Sequence, residues 1–242
     1  MAVSQLPVLM YHMVTDKEAV DYLTIRAADL DRQLQYIQQQ GYTTISMQQL
    51  VDYQLRQAPL PEKPVLLTFD DGYRDNFTLL YPLLVKYRMK ATIFLVASLI
   101  PRTGMPDPEK KYMPEDQLRQ MDPGIIGFGL HSYDHSNYKE MTAEQIAVDI
   151  DKCKVLLQQM NISFTPVLAY TYGAYHKAGA AKEAMIQVLQ QKDLCIAFRI
   201  GNRINALPLK NPFIVQRIDI RGNESFGRFR RKLKRGGRLL FL

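Results

Sequence analysis

The sequence has few residues that could crosslink the chain and no run that could carry it through a membrane. Its 242 residues include two cysteines and no tryptophan. Cys153 and Cys195 lie far apart and at no metal-ligand spacing, which excludes a disulfide-rich scaffold and a cysteine zinc cluster. We expect two free, buried thiols, with a single disulfide as the alternative. The longest apolar runs, such as residues 93–97, are far too short to span a bilayer.

The beginning of the chain also lacks the features of an export signal. Residues 1–5 contain no basic side chain, and the apolar stretch at residues 6–10 is too short for the hydrophobic region of a signal peptide. We therefore expect no signal peptide in this sequence. Whether one was removed from a longer precursor or never existed is left open.

Positive charge is concentrated near the C-terminus, although the net charge of the whole sequence is only +7. Within residues 221–242, apolar side chains alternate with eight basic ones: Arg221, Arg228, Arg230, Arg231, Lys232, Lys234, Arg235 and Arg238. Such a segment could lie on a membrane or an anionic cell-surface polymer. The alternative is a final helix that packs its apolar face and leaves its charges in solvent. No nucleic-acid recognition motif accompanies the charge, so nucleic-acid binding is not predicted.

Strand-like apolar runs alternate with helical patterns along the chain. A capping-box pattern at Thr142 and Gln145 opens one clear helix that continues to Met160. This alternation predicts parallel βαβ units in an α/β barrel, formed by one domain over residues 1–242 with a basic C-terminal segment. The predicted strands cover residues 7–11, 65–69, 91–97, 125–130, 167–170, 194–198 and 213–220.

Polar side chains recur where these strands end. They are His12, Asp70, Asp71, His131 and Tyr172. In a β/α barrel, the carboxyl ends of the strands carry the active site. We therefore expect these residues to converge at one mouth of the barrel.

The adjacent carboxylates of Asp70 and Asp71 precede Gly72, which permits a sharp turn. One carboxylate can hold a metal while its neighbour takes a proton from an activated water. The alternative interpretation is an ordinary Asp-Gly turn.

Two of the four histidines lie four positions apart, at His131 and His135. On a helical turn or tight loop they can bind one ion together. A carboxylate and two imidazoles leave coordination positions open for water and substrate, as a catalytic site requires. The alternatives are a pair of surface histidines or a non-haem iron site, but the latter usually lies in folds of short alternating strands.

Residues 68–72 and 131–135 resemble the first two motifs of the NodB-homology polysaccharide deacetylases, carbohydrate esterase family four. Residues 7–12, 91–95 and 169–175 are also similar to that family, in particular to its branch that acts on poly-N-acetylglucosamine. The similarity covers residues 6–220.

This resemblance implies a distorted (β/α) barrel of seven or eight strands. It also implies a divalent metal on Asp71, His131 and His135, usually Zn²⁺, with nickel, cobalt, iron or manganese as alternatives. Asp70 would be the general base, and the backbone N–H of Tyr172 would stabilise the oxyanion. Two further tyrosines, Tyr170 and Tyr175, would stack on sugar rings unless they pack in the core.

The sequence departs from the family pattern at two places. The usual arginine and proline of the third motif are replaced by Ala169 and Thr171. Because Arg217 is a charge within an apolar strand, we expect it to replace that arginine by pairing with Asp70 or Asp219. The alternative is a surface arginine on an edge strand.

The late histidine that usually serves as the general acid is also missing, since no histidine follows His176. His12, at the end of the first strand, is the predicted proton donor to the departing amine, or else a residue that supports the site.

The resemblance therefore predicts hydrolysis of N-acetyl groups from an amino-sugar polymer, outside the cell or at its surface. Poly-N-acetylglucosamine is the expected substrate, and peptidoglycan or chitin oligomers are alternatives. The altered third motif and the missing histidine leave a second class open, a catalytically weak or inactive carbohydrate-binding relative.

Overall fold

Seven parallel strands close into a barrel in the computed structural model, which describes residues 5–18, 21–102, 109 and 111–237. The strands are β1 (Val8–Tyr11), β2 (Pro64–Asp71), β3 (Ala91–Leu95), β4 (Ile126–Leu130), β5 (Val167–Ala169), β6 (Ile196–Ile200) and β7 (Val215–Asp219). The order around the ring is β1-β7-β6-β5-β4-β3-β2, and β1 closes it by pairing with both β7 and β2. Thr43–Thr44 adds an eighth strand beside β2, outside the ring. The predicted barrel of seven or eight strands is confirmed.

Helices cover the outside of the barrel. The capping box predicted at the start of the helix Ala143–Gln159 is present, because Thr142 Oγ1 accepts from the Gln145 backbone N–H and Gln145 Oε1 accepts from the Thr142 backbone N–H. A π-helical turn, Asn76–Leu80, leads into α3. The helices are α1 (Ala27–Gln39), α2 (Met47–Arg56), α3 (Tyr81–Tyr87), α4 (Glu115–Gln120), α5 (Ala143–Gln159), α6 (Gly179–Gln191) and α7 (Phe226–Arg235).

Two short strand pairs lie beside the barrel. Gln5–Leu6 pairs with Asn205–Ala206, and Met13–Thr15 pairs with Thr24–Arg26. Among the described residues, no helix combines the length and the apolar character needed to cross a membrane.

Apolar side chains form two clusters, because successive side chains of each strand point to opposite faces of the sheet. Val8, Leu66 and Phe94 belong to the cluster inside the barrel, whereas Leu9 and Leu67 pack against the helices. Packing requires Gly129, one of the two glycines in β4. A Cβ at position 129 would lie 2.7 Å from the Phe94 ring, so only glycine fits there.

The basic C-terminal segment forms a packed helix as far as the structure describes it. Phe229 and Leu233 of α7 are buried, and arginines on the other face are exposed. Lys232 is an exception, because it is buried and donates to the Asp219 carbonyl and to Glu224. Arg238 and residues 239–242 lie outside the described residues.

Both cysteines are free, as the sequence predicted. Cys153 is buried, but Cys195 is only half-buried, so the expectation of two buried thiols is wrong for Cys195. Cys195 directly precedes β6, where the chain enters the barrel from the surface.

Candidate metal centre and active site

One cavity at the carboxyl ends of the strands contains the polar residues that the sequence singled out. It encloses about 510 Å³, within the range of small-molecule sites. Its wall includes His12, Asp70, Asp71, His131, His135, Tyr172, Arg217 and Asp219. The barrel therefore brings together side chains that are scattered along most of the sequence.

Asp71, His131 and His135 form the group in this cavity that could hold a metal ion. Asp71 Oδ1 lies 3.4 Å from His131 Nε2 and 3.3 Å from His135 Nε2. A tetrahedral zinc ion with ligand distances of about 2.0–2.1 Å separates its ligand atoms by about 3.3–3.4 Å. Asp71 Oδ1 is also buried without a hydrogen-bond partner among the described residues, which is costly unless another group binds it. These observations fit a divalent cation.

The two imidazoles are oriented by their other ring nitrogens. His131 Nδ1 lies 2.7 Å from the Ala169 carbonyl oxygen. Because a carbonyl only accepts, Nδ1 carries the proton and Nε2 keeps its lone pair for a metal. Burial lowers the pKa of His131, although Asp70 and Asp71 oppose the shift, and this favours the neutral form that binds metals. His135 Nδ1 lies 3.0 Å from the Tyr172 hydroxyl, which orients the second ring.

Several site residues have left-handed backbone conformations that non-glycine residues rarely adopt. The φ angles are 75° at Asp71, 66° at His135 and 56° at Tyr172. Such conformations cost on the order of 1 kcal/mol each and concentrate at functional sites. Hydrogen bonds hold the loop between the histidines, since Ser132 Oγ accepts from the Ser136 backbone at 2.8 Å and Asp149 accepts from the Tyr133 backbone at 2.9 Å.

Asp70 is held by Arg217 through two hydrogen bonds of 2.5 and 2.8 Å. Both side chains are almost completely buried. Burial alone would raise the pKa of Asp70, but Arg217, His131 and His12 together outweigh it, and the pKa lies below its usual value. Asp70 is therefore a carboxylate at neutral pH. The Arg217–Asp70 pair that the sequence suggested is present, whereas Asp219 pairs with Arg221 at 2.8 Å.

His12 lies in the cavity wall next to the carboxylate. Its Nε2 is 3.9 Å from Asp70 Oδ2, and its side chain is 14% exposed. The Asn76 amide holds the His12 backbone by donating to its carbonyl at 3.0 Å. By contrast, His176 contacts the Met141 carbonyl and does not line the cavity.

The prediction that Tyr170 and Tyr175 stack on sugars is wrong. Tyr170 is 1% exposed and donates its hydroxyl to the Phe213 carbonyl at 3.0 Å. The Tyr175 ring stacks on Tyr170 with centroids 5.2 Å apart and is itself 7% exposed. Both tyrosines pack in the core, which was the alternative interpretation.

Sequence reasoning also missed residues that line the cavity. One of them is Tyr22, which is 52% exposed and lies in the same cavity as Tyr172, the 67% exposed tyrosine that the sequence did predict for the site. Arg221 and Asn202 line the same cavity. Tyr22 carries no sequence signal of its own, because it lies in an irregular loop between two short strands.

The fold and the site define a class: a parallel β/α barrel with a candidate Asp-His-His metal centre and a second, buried carboxylate at its carboxyl mouth. Residues 57–189 match the family described as polysaccharide deacetylase, and the match covers more than half of the chain. The chain belongs to the polysaccharide deacetylase family. This agrees with the resemblance seen in its motifs.

Individual relatives are similar in sequence to parts of this chain. YxkH of Bacillus subtilis is 31% identical over 175 residues, which are 72% of this chain and 59% of YxkH. The poly-beta-1,6-N-acetyl-D-glucosamine N-deacetylase of Escherichia coli K12 is 35% identical over 92 residues, 37% of this chain and 14% of that protein. The chain thus spans less than two thirds of either relative. The solved structure of IcaB from Ammonifex degensii shares the fold, with a TM-score of 0.76 at 22% identity, covering 96% of this chain and 97% of that one.

Proposed function

We propose that this protein is a metal-dependent hydrolase that removes N-acetyl groups from an amino-sugar polymer. The observation that carries the proposal is the buried Asp70–Arg217 pair beside the Asp71, His131 and His135 group in one cavity. A protein that only bound a metal or a sugar would have no need for a second carboxylate held in its charged form.

Asp71 Oδ1, His131 Nε2 and His135 Nε2 would hold the ion, which we propose to be Zn²⁺ because imidazole and carboxylate ligands suit it. When bound, the metal supplies Lewis acidity that polarises the acetamide carbonyl and lowers the pKa of a bound water. Nickel, cobalt, iron or manganese are the alternatives to be compared in the metal assay.

Asp70 accepts the proton of the attacking water in this mechanism. Arg217 keeps the Asp70 carboxylate charged and fixes both of its oxygens, so the base does not rotate away from the reacting atoms. The Tyr172 backbone N–H donates to the oxygen of the acetyl carbonyl as negative charge develops on it. The C–N bond then breaks, the leaving nitrogen takes a proton, and acetate and a free amine are the products. His12, beside Asp70, is the proposed donor of that proton.

Poly-N-acetylglucosamine or a related cell-surface polysaccharide is the proposed substrate. The name of the Escherichia coli relative and the motifs of residues 7–12 and 169–175 support it. Such a polymer lies outside the cytoplasm, so we propose a secreted or surface-associated protein. We also propose that residues 1–242 form a single domain. The basic helix α7 would make peripheral contact with a membrane or an anionic surface polymer.

The proposal is tested by acetate release from N-acetylglucosamine oligomers in the presence of Zn²⁺. Mass spectrometry should show oligomers that have lost whole acetyl groups, with β-1,6-linked oligomers deacetylated faster than chitin oligomers or peptidoglycan fragments. Asp70→Asn protein is the matched control and should release acetate at least about a hundredfold more slowly while still binding zinc. No acetate release from any oligomer by metal-loaded protein would favour the inactive carbohydrate-binding relative instead.

A further inference from the structure

A second wall of the cavity is built from residues that the proposed mechanism does not use. Tyr22 lies in the loop between the short strands Met13–Thr15 and Thr24–Arg26, and Arg221 lies two residues after β7. Around the barrel, two strands separate β4, which carries His131 at its end, from β1 on one side and from β7 on the other. The Tyr22–Arg221 wall therefore faces His131 across the mouth, whereas Asp71 lies on β2, next to β1.

The two loops of this wall are joined backbone to backbone. Gly222 donates its N–H to the Tyr22 carbonyl at 3.1 Å. A Cβ at position 222 would lie only 1.6 Å from the Thr24 carbonyl oxygen, so no side chain fits between the loops. The Asp21 carboxylate accepts from the backbone N–H groups of Leu23 and Thr24 at 2.8 and 3.0 Å, which holds the turn that presents Tyr22.

The wall offers an aromatic face together with hydrogen-bond donors. The Arg221 guanidinium lies over the Tyr22 ring, 5.6 Å from its centroid. Arg221 uses its Nε to contact Asp219, and its terminal nitrogens have no hydrogen-bond partner among the residues that the structure describes. An apolar ring with a few fixed polar groups is the composition of a small-molecule site, and a sugar has one apolar face and a rim of hydroxyls that match it.

Charge decides which kind of sugar fits. The Asp219 carboxylate, 2.8 Å from Arg221 Nε, neutralises the guanidinium within the wall itself. An anionic sugar would be attracted by the guanidinium but repelled by that carboxylate, so its negative charge would add little to the binding free energy. A neutral sugar can instead accept hydrogen bonds from the free guanidinium nitrogens.

We propose that Tyr22 and Arg221 form a second sugar-binding subsite, which holds the neutral N-acetylhexosamine residue adjacent to the one that is deacetylated. The inference rests on the proposed function where it concerns the reaction, but sugar binding by the subsite does not depend on that function. The subsite makes the enzyme selective for oligomers over monomers, and for neutral chains over chains that carry carboxylates.

The kinetic test compares wild type with Tyr22→Ala, Tyr22→Phe and Arg221→Gln. With oligomers of three or more residues, Tyr22→Ala and Arg221→Gln should raise KM about tenfold while kcat changes little, because the lost contact is made equally in the ground and transition states. Tyr22→Phe should keep the wild-type KM, since the stacked ring remains. Arg56→Gln is the matched control, because Arg56 is exposed on α2, pairs with Asp52 and does not line the cavity. Unchanged KM values for both Tyr22→Ala and Arg221→Gln would overturn the subsite.

A binding test separates the subsite from the reaction. Metal-stripped protein, which cannot hydrolyse, is titrated with N-acetylglucosamine oligomers and followed by calorimetry. Wild type should bind them about tenfold more tightly than Tyr22→Ala. If it does so while the metal-loaded enzyme releases no acetate, the subsite is supported and the proposed reaction is refuted. Equal affinities, no binding by wild type, or tighter binding of N-acetylmuramic acid oligomers would each refute the subsite.

Discussion

Arg217 and Asp70 form a two-point ion pair although 147 positions separate them in the sequence. Each side chain is almost completely buried, so each charge depends on the other. Removing one member of such a pair leaves an uncompensated charge in the barrel, and the cost is larger than the net stability that the pair provides.

Replacement of Arg217 by Met should therefore destabilise the protein by about 3–5 kcal/mol. The double variant Arg217→Met with Asp70→Asn should recover much of that loss, because neither charge is then left alone. Urea unfolding followed by circular dichroism measures both free energies of unfolding. A double variant no more stable than Arg217→Met would show that the two side chains are not coupled.

The adjacent carboxylates should have separable roles. Asp70→Asn is expected to lower the rate of acetate release by about 10²–10⁴-fold, the usual contribution of a general base, and to change the zinc affinity only slightly. Asp71→Asn should instead abolish tight zinc binding, because one of three ligands is weakened. Calorimetric zinc titration alongside the acetate assay separates the two. Equal loss of zinc affinity in both variants would contradict this division.

The Tyr172 hydroxyl should contribute to metal affinity through His135, which it contacts at 3.0 Å. Tyr172→Phe keeps the backbone N–H but removes this contact, and partners of metal-binding imidazoles are typically worth 10–100-fold in affinity. We expect the zinc dissociation constant to rise by about that factor. Tyr22→Phe, which removes a hydroxyl from the other exposed tyrosine of the cavity, is the control and should leave it unchanged. An unaltered constant in Tyr172→Phe would mean that the hydroxyl does not support the ligand.

Asp75 should make stability depend on pH. Burial raises its pKa from the ordinary value to about 6, although hydrogen bonds from the Val14 backbone and the Asn76 side chain oppose the shift. A carboxyl whose pKa is higher in the folded state contributes stability below its unfolded pKa of about 4, and loses it as pH rises to about 6.

Asp75→Asn should therefore raise the melting temperature at pH 7.5 and have little effect at pH 4. The asparagine oxygen still accepts hydrogen bonds but carries no charge. Asp16→Asn, at an exposed position, is the control. A melting-temperature difference between Asp75→Asn and wild type that is equal at both pH values would rule out ionisation of Asp75 as the cause.

The sequence predicted much of the barrel because most strands are short apolar runs, and those of β1, β2 and β4 lead directly into polar residues. Those strand ends pointed to His12, Asp70, Asp71 and His131, which the cavity brings together. Arg217 was recognisable because a charge inside an apolar strand must find a buried partner.

Other parts of the site depended on packing that pattern reasoning does not resolve. Tyr170 follows the end of β5, where the alternation of faces ends, so its burial could not be read from the sequence. The Tyr22 and Arg221 loops are 199 positions apart and meet only because β1 pairs with β7. The two-residue strand Thr43–Thr44 is too short to give a periodic pattern.

Because β1 closes the ring by pairing with β7, the site can be completed only after β7 has been synthesised. His12, Asp70 and Arg217 come from β1, β2 and β7, three neighbours in the ring although β7 is the last strand in the sequence. During synthesis the first two therefore lack their guanidinium partner until the segment that contains β7 has left the ribosome. The buried ion pair can thus form only after β7 has paired with β1, so a copy that ends before β7 would lack the arginine that holds Asp70.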